Sequence, residues 1–134
     1  MGTHLPGLTA ALFGINTSGP SPARLSAAVR GRTAVVTGAS RGIGQKLAVR
    51  LATAGAHVIG VARSEAPLAA LHAKAKAAGA RFDYLLCDLR DTDEARATAE
   101  TAIERWGTPA LHVAVAGHSI HRRLTQYADR FHDV

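Results

Sequence analysis

The feature that most constrains this chain is a glycine-rich turn set between a short strand and a helix. Thr33–Thr37 (TAVVT) is a β-branched run, of the kind that fills a strand buried on both faces. It leads into Thr37-Gly38-Ala39-Ser40-Arg41-Gly42-Ile43-Gly44, after which Ile43, Leu47, Leu51 and Ala54 recur at helical spacing. Gly55 stands where a helix stop is expected. A turn so placed lets backbone approach a pyrophosphate closely. The helix behind it offers unpaired N–H groups and the positive end of its dipole to the phosphates. Gly38 suits the tight turn, Gly42 the close approach, and Gly44 the packing of helix on strand. The spacing is G-x-x-x-G-x-G rather than the general G-x-G-x-x-G, so the strand before and the helix after carry the phosphate-binding reading.

The alternation continues along the chain. His57–Val61 (HVIGV) reads as a second strand, and Glu65–Ala78 as a helix with Leu68, Leu71 and Ala75 in phase, closed by Gly79. Phe82–Cys87 (FDYLLC) reads as the third strand. Thr92–Trp106 follows with Ala95, Ala99, Ala102, Ile103 and Trp106 expected inward, and Asp91 or Thr92 as its N-cap. Leu111–Val115 (LHVAV) is the fourth strand, ended by Ala116-Gly117. This β-α-β-α-β-α-β series, with connections of a few residues, predicts an α/β, doubly wound parallel sheet with right-handed crossovers. The expected strand order is 3-2-1-4, with the ligand cleft between strands one and four, where the order reverses.

Composition narrows the function classes. A chain of 134 residues with 47% hydrophobic and 19% charged residues is neither disordered nor fibrous. The single cysteine, Cys87, excludes an intrachain disulfide framework and a multi-cysteine metal site; it reads as a small buried apolar residue, and a reducing, cytoplasmic setting fits. Residues 1–64 carry seven basic residues (Arg24, Arg30, Arg32, Arg41, Lys46, Arg50, Arg63) and no acid, whereas residues 65–134 carry nine basic and ten acidic. That asymmetry suits an anionic partner such as a phosphate-bearing ligand; an arginine- and alanine-rich genome is the competing explanation. Zinc-finger spacing, a basic zipper and an aromatic platform are all absent, which argues against nucleic acid. No apolar run approaches the ~18 residues of a membrane span. Residues 1–30, broken by Pro6, Gly7, Gly14, Gly19, Pro20 and Pro22, are expected to be a flexible extension with short helices near Leu8–Phe13 and Ala23–Val29. Residues 31–134 are expected to form the folded domain.

In T-G-A-S-R-G-I-G at 37–44 the chain resembles the short-chain dehydrogenases/reductases, and the resemblance runs from about Gly31 onward. It implies a Rossmann-like fold and a dinucleotide cofactor held by Gly38, Ser40, Arg41, Gly42, Ile43 and Gly44. It continues in Cys87-Asp88-Leu89, where Asp88 would contact the adenine amino group with Leu89 beside it. Ala114-Val115-Ala116-Gly117 occupies the place of the family's N-N-A-G; Ala116 and Gly117 match, and Ala114 and Val115 replace both asparagines. That departure removes the hydrogen bonds by which the second asparagine steadies the central sheet. At the end of strand two an NAD-binding domain usually places an acid ~20 residues beyond the glycines. The candidates here are Val61, Ala62, Arg63 and Ser64, none acidic. Arg63 and Arg41 suit the 2′-phosphate of NADP instead, and in the resembled family basic residues at these places accompany NADP; otherwise Arg63 is a solvated strand end.

The family's chemistry uses a serine and a Tyr-x-x-x-Lys pair. Tyr84 is followed four positions later by Asp88 and Tyr127 by Phe131, so neither fits and no catalytic residue is assigned. His118 and His121 have a spacing that two metal ligands could use but lack a carboxylate or cysteine partner, and they read as loop histidines. Arg122, Arg123 and Arg130 read as solvent-facing, and Tyr127–Val134 as the start of a further helix. The His118–Arg123 run resembles family members acting on lipid-derived carbonyls. Two functions stand: the cofactor-binding part of an NADP-dependent oxidoreductase acting on a small carbonyl or alcohol, incomplete at its C-terminus, or a non-catalytic nucleotide-binding or interaction module. Either way the outer edge of strand four is expected to invite self-association.

Overall fold

In the computed structural model, which describes residues 21–117, the four β-branched and apolar runs form one parallel sheet in the order β3-β2-β1-β4. The strands are β1 (Thr33–Thr37), β2 (His57–Ala62), β3 (Arg81–Leu86) and β4 (Leu111–Ala114). They alternate with helices α2 (Gly42–Thr53), α3 (Glu65–Ala77) and α4 (Thr92–Trp106), and α1 (Pro22–Val29) precedes them. Thr33 pairs with His57, His57 with Arg81, and Ala34 with Leu111. β1 lies between β2 and β4, and the direction of strand addition reverses at β1. The expected order and class are therefore those observed.

Right-handed crossovers put α2 and α3 on one face of this sheet and α4 on the other. The first face carries the core, where Ala34, Val36, Val58 and Phe82 of the strands meet Ala48, Leu51, Ala52, Leu68 and Leu71 of the helices. Two helices keep most of their expected inward residues, Leu47 and Leu51 with the C-cap Ala54 in α2 and Ala95, Ala102 and Trp106 in α4, but each turns part of the expected face outward. In α2 the inward line is Gly44, Ala48, Leu51 and Ala52, and Ile43, expected inward, is 76% exposed. The cause is the tight seat of Gly44 on the strand-end turn, which leaves Ile43, about 100° around the helix, facing out. In α4 Ala102 is buried and Ala95, Thr98 and Trp106 are half-buried, whereas Ala99 and Ile103, expected inward, are exposed. Ala95, Thr98 and Ala102 are spaced as regularly as Ala95, Ala99 and Ile103. The expected line of Ala95, Ala99, Ala102, Ile103 and Trp106 passes over the threonine, and its Ala95, Ala102 and Trp106 face inward as expected.

The packed unit begins earlier than residue 31. Residues 1–20, with the short helix expected near Leu8–Phe13, lie outside the described residues; the helix expected near Ala23–Val29 is present as Pro22–Val29, and it packs on the domain instead of extending from it. Ser21 caps α1 by accepting from the Arg24 N–H, Val29 enters the core with Leu25 packed against it, and the Gly31 N–H donates to the Gly55 carbonyl at 2.9 Å. Burial of two apolar side chains and a backbone bond outweigh the breakers around them.

A polar cluster sits at the N-terminal ends of β2 and β3. The buried His57 contacts Asp83 Oδ2 at 2.7 Å through Nε2, and Arg81 Nη2 donates to its Nδ1 at 3.2 Å. Since Arg81 can only donate, the proton of the neutral ring is assigned to Nε2, facing Asp83. The Trp106 ring stands edge-on to His57 at 6.0 Å between centroids.

Leu68 is fully buried in the main core. Leu68→Ala is expected to lower stability by about 2–5 kcal/mol, read as a lower urea midpoint at unchanged slope.

Candidate functional site

The C-terminal edge of the sheet collects the loops that follow all four strands, and backbone bonds tie them together. The Gly38 N–H donates to the Val61 carbonyl at 2.8 Å, and the Cys87 N–H to the Ala62 carbonyl at 3.0 Å. The second bond extends the β2–β3 ladder by one step and brings Arg63 and Asp88 to neighbouring strand ends. Across the reversal point, the buried Thr37 hydroxyl accepts from the Val115 N–H at 3.2 Å and the Ala116 N–H at 3.3 Å. The loop after β4 is thereby held against the glycine turn.

The turn leaves no room for side chains at two positions. A Cβ on Gly38 would lie 2.8 Å from the Ala116 nitrogen, and one on Gly44 would lie 2.2 Å from the Gly38 carbonyl oxygen. Both distances are inside contact, so only glycine lets turn, helix and β4 loop come this close. Gly42 differs: its φ is +58° and nothing lies within 4 Å of where a Cβ would stand. The space before it is open. Behind it, the N-terminus of α2 has no side-chain cap and no acid in its first turn. A helix start of this kind leaves N–H groups and a positive dipole end for an anion. α4 is the contrast, because Asp91 accepts from the Asp93 and Glu94 N–H groups and fills that role itself. Of the two caps expected for α4, Asp91 is the one used.

The structure brings the expected residues to this edge. Ser40 is half-buried within the turn, and Arg41, the N-cap residue of α2, is exposed, as are Ile43, Arg63, Leu89, Ala116 and Gly117. Asp88 is gripped by Arg90: Nε donates to Oδ1 at 3.0 Å and to Oδ2 at 3.1 Å, Nη2 donates to Oδ2, and the Arg90 N–H donates to Oδ1 at 3.1 Å. These side-chain bonds from Arg90, its backbone N–H and, less, the charge of Arg63 hold the Asp88 carboxyl down at about 2. The same carboxylate raises the Arg90 guanidinium. His118, His121, Arg122, Arg123, Tyr127 and Arg130 lie outside the described residues. Among the described residues no group of histidines, cysteines and carboxylates could hold a metal ion, and no helix is long and apolar enough to cross a membrane.

Two functional residues escaped the sequence reading. Thr37 reads as one more β-branched strand residue, yet its hydroxyl joins β1 to the loop after β4. Its signal was a polar group at the last position of an otherwise apolar strand. Arg90 was legible only as a charge two residues past Asp88, the spacing at which an aspartate accepts from a backbone N–H.

Comparison with known proteins agrees with this geometry. The short chain dehydrogenase family profile matches residues 32–133, and the chain belongs to that family. It is 36% identical over 105 residues to a fatty acyl-CoA reductase of Acinetobacter baylyi, covering 78% of this chain and 36% of that protein. Among solved structures it resembles L-sorbose reductase from Gluconobacter frateurii complexed with NADPH and L-sorbose (TM-score 0.69, 29% identity, 75% of this chain and 39% of that one). It also resembles a 3-oxoacyl (acyl-carrier-protein) reductase from Agrobacterium tumefaciens with NADP bound (TM-score 0.65, 37% identity, 72% and 37%). The chain thus spans little more than a third of the length of these relatives.

Two measurements check the site's scaffold. Thr37→Val leaves two N–H groups without their acceptor and is expected to cost roughly 1–3 kcal/mol, with faster amide exchange at Val115 and Ala116; Thr37→Ser keeps the hydroxyl and should behave as wild type. Because the folded Asp88 carboxyl is depressed from 3.8 to about 2, its contribution is present above 3.8 and lost as the pH falls through about 2. A carbon-13 titration of Asp88 is expected to show a midpoint near 2 in the wild type and a higher one in Arg90→Gln, still below 3.8 because the backbone N–H of residue 90 and the charge of Arg63 remain.

Proposed function

We propose that this chain is the dinucleotide-binding part of an NADP(H)-dependent oxidoreductase that exchanges a hydride with a carbonyl or alcohol substrate. The observation that carries the reading is the uncapped start of α2 behind the open space at Gly42, with arginines at 41 and 63 and no acid at the end of β2. Gly38, Gly42 and Gly44 would admit the pyrophosphate to the N–H groups of α2. Arg41 and Arg63 would pair with the 2′-phosphate, Asp88 and Leu89 would meet the adenine, and Ile43, Ser40, Ala116 and Gly117 would border the remaining cofactor. When bound, the nicotinamide supplies or accepts the hydride. The chain's own residues bind and orient it. NADPH and NADP in the two related reductase structures support the choice of cofactor.

A proton donor is a separate requirement of carbonyl reduction. No tyrosine of this chain has a lysine four positions on, so the 134 residues alone are expected to turn over no substrate. An assay of NADPH oxidation against ketones, aldehydes and quinones checks this. A lipid-derived acyl or carbonyl compound is the substrate class we favour for the whole protein, on the His118–Arg123 run and the similarity to a fatty acyl-CoA reductase. A cytoplasmic setting and self-association belong to the same proposal. β4 has no partner on its outer edge among the described residues, and an open edge invites pairing with a second chain.

Titration of NADP⁺ and NAD⁺ into the wild type and Arg63→Ala tests the cofactor reading. The wild type is expected to prefer NADP⁺. Arg63→Ala should weaken NADP⁺ binding by about 1.5–3 kcal/mol, the worth of a charge-assisted bond, with NAD⁺ affinity unchanged. Equal affinities in the wild type would overturn the preference.

A further inference from the structure

The Arg90 side chain is 79% exposed, and an ion pair that exposed adds little to stability. Its geometry is nevertheless specific. The guanidinium reaches both oxygens of Asp88, and the Arg90 backbone N–H takes Oδ1 as well. The Asp88 backbone is held from the other side, its N–H donating to Glu94 Oε1 at 3.1 Å and its carbonyl accepting from the Asp91 N–H at 3.0 Å. Main chain and carboxylate are therefore both fixed at the end of β3.

Counting acceptor positions shows what this leaves. A carboxylate offers about four lone-pair sites and, when ionised, donates nothing. Oδ1 receives two donors, while Oδ2 receives Nη2 and a share of Nε. About one acceptor position remains, on Oδ2. We propose that Arg90 is a positioning residue that orients Asp88 and thereby makes the site select a 6-amino purine over a 6-oxo purine. The assignment rests on the dinucleotide reading above. The contact between Asp88 and an adenine amino group is what the family resemblance implies; the dependence of base choice on Arg90 is the new element. A fixed, ionised acceptor binds the exocyclic amino group of adenine and repels the oxo group of hypoxanthine. Freed from the fork, Asp88 can rotate away, and the discrimination relaxes. Arg63 lowers the carboxyl only weakly beside Arg90, so it does not replace the fork.

The test titrates the 134-residue chain, as wild type and as Arg90→Gln, with NADP⁺ and with its hypoxanthine analogue. The wild type is expected to favour NADP⁺ by about tenfold, the lower end for a hydrogen bond to a charged group. Arg90→Gln should cut that preference to about threefold or less, mainly by weakening NADP⁺. A merely structural arginine would lower both nucleotides together. Equal loss for both, or an undiminished preference, overturns the role of Arg90 and leaves the dinucleotide site standing. A wild type that binds neither nucleotide overturns the dinucleotide reading and Arg90 with it. If Arg90→Gln fails to unfold cooperatively on heating, Arg90→Lys, which keeps the charge without the fork, takes its place; a preference equal to the wild type's then overturns the assignment.

Discussion

The seat of Gly44 on the carbonyl of Gly38 is the contact from which the rest of this edge is built. With a side chain at 44 the first turn of α2 would have to lift away from the strand end, because a Cβ there would fall 2.2 Å from the oxygen. Without one, the helix starts directly behind the turn and its N–H groups face the open space at Gly42. The same seat rotates α2 so that Ala48, Leu51 and Ala52 meet the sheet and Ile43 does not. One absent methyl group thus sets both the core contact of the helix and the position of its uncapped N-terminus.

Around that seat the strand ends are joined by bonds that need no ligand to form. Val61 and Ala62 accept from the loops that follow β1 and β3, and Thr37 accepts from the loop that follows β4. A site whose loops are already fixed pays less ordering entropy on binding. The charges are arranged in the same spirit. Arg41 and Arg63 lie in the loops that follow the first two strands, with Glu65 opening the helix after Arg63, while Asp88 and Asp91 are occupied by Arg90 and by the start of α4.

The two faces of the sheet are unequal. α2 and α3, with the end of α1, cover one face with an apolar cluster, whereas α4 contributes a single fully buried residue, Ala102, to the other. Ile103 is 49% exposed on that helix, and Leu111 of β4 is 38% exposed. The chain also spans little more than a third of its relatives. Stability therefore rests mainly on the α2–α3 side, with the His57–Asp83–Arg81 cluster and Trp106 filling the base of the other.

Element type, strand order and the place of the glycine turn between β1 and α2 were legible in the sequence. They depend on local periods, on glycine's missing side chain and on crossover handedness, all of which act over short stretches of chain. The boundaries of β1 and α4 and the need for glycine at 38 and 44 were legible for the same reason. Helical phase was legible only in part. Whether Ile43 or Gly44, and Ile103 or Thr98, faces the sheet depends on what each meets there, and both choices preserve a helical period. Nor was α1 legible as part of the core, because its breakers are visible locally while the pocket for Val29 is made by distant residues. Thr37 and Arg90 belong with these. A hydroxyl that bonds a loop 78 positions on, and a guanidinium that closes on a neighbouring carboxylate, acquire their roles only when the strands stand side by side.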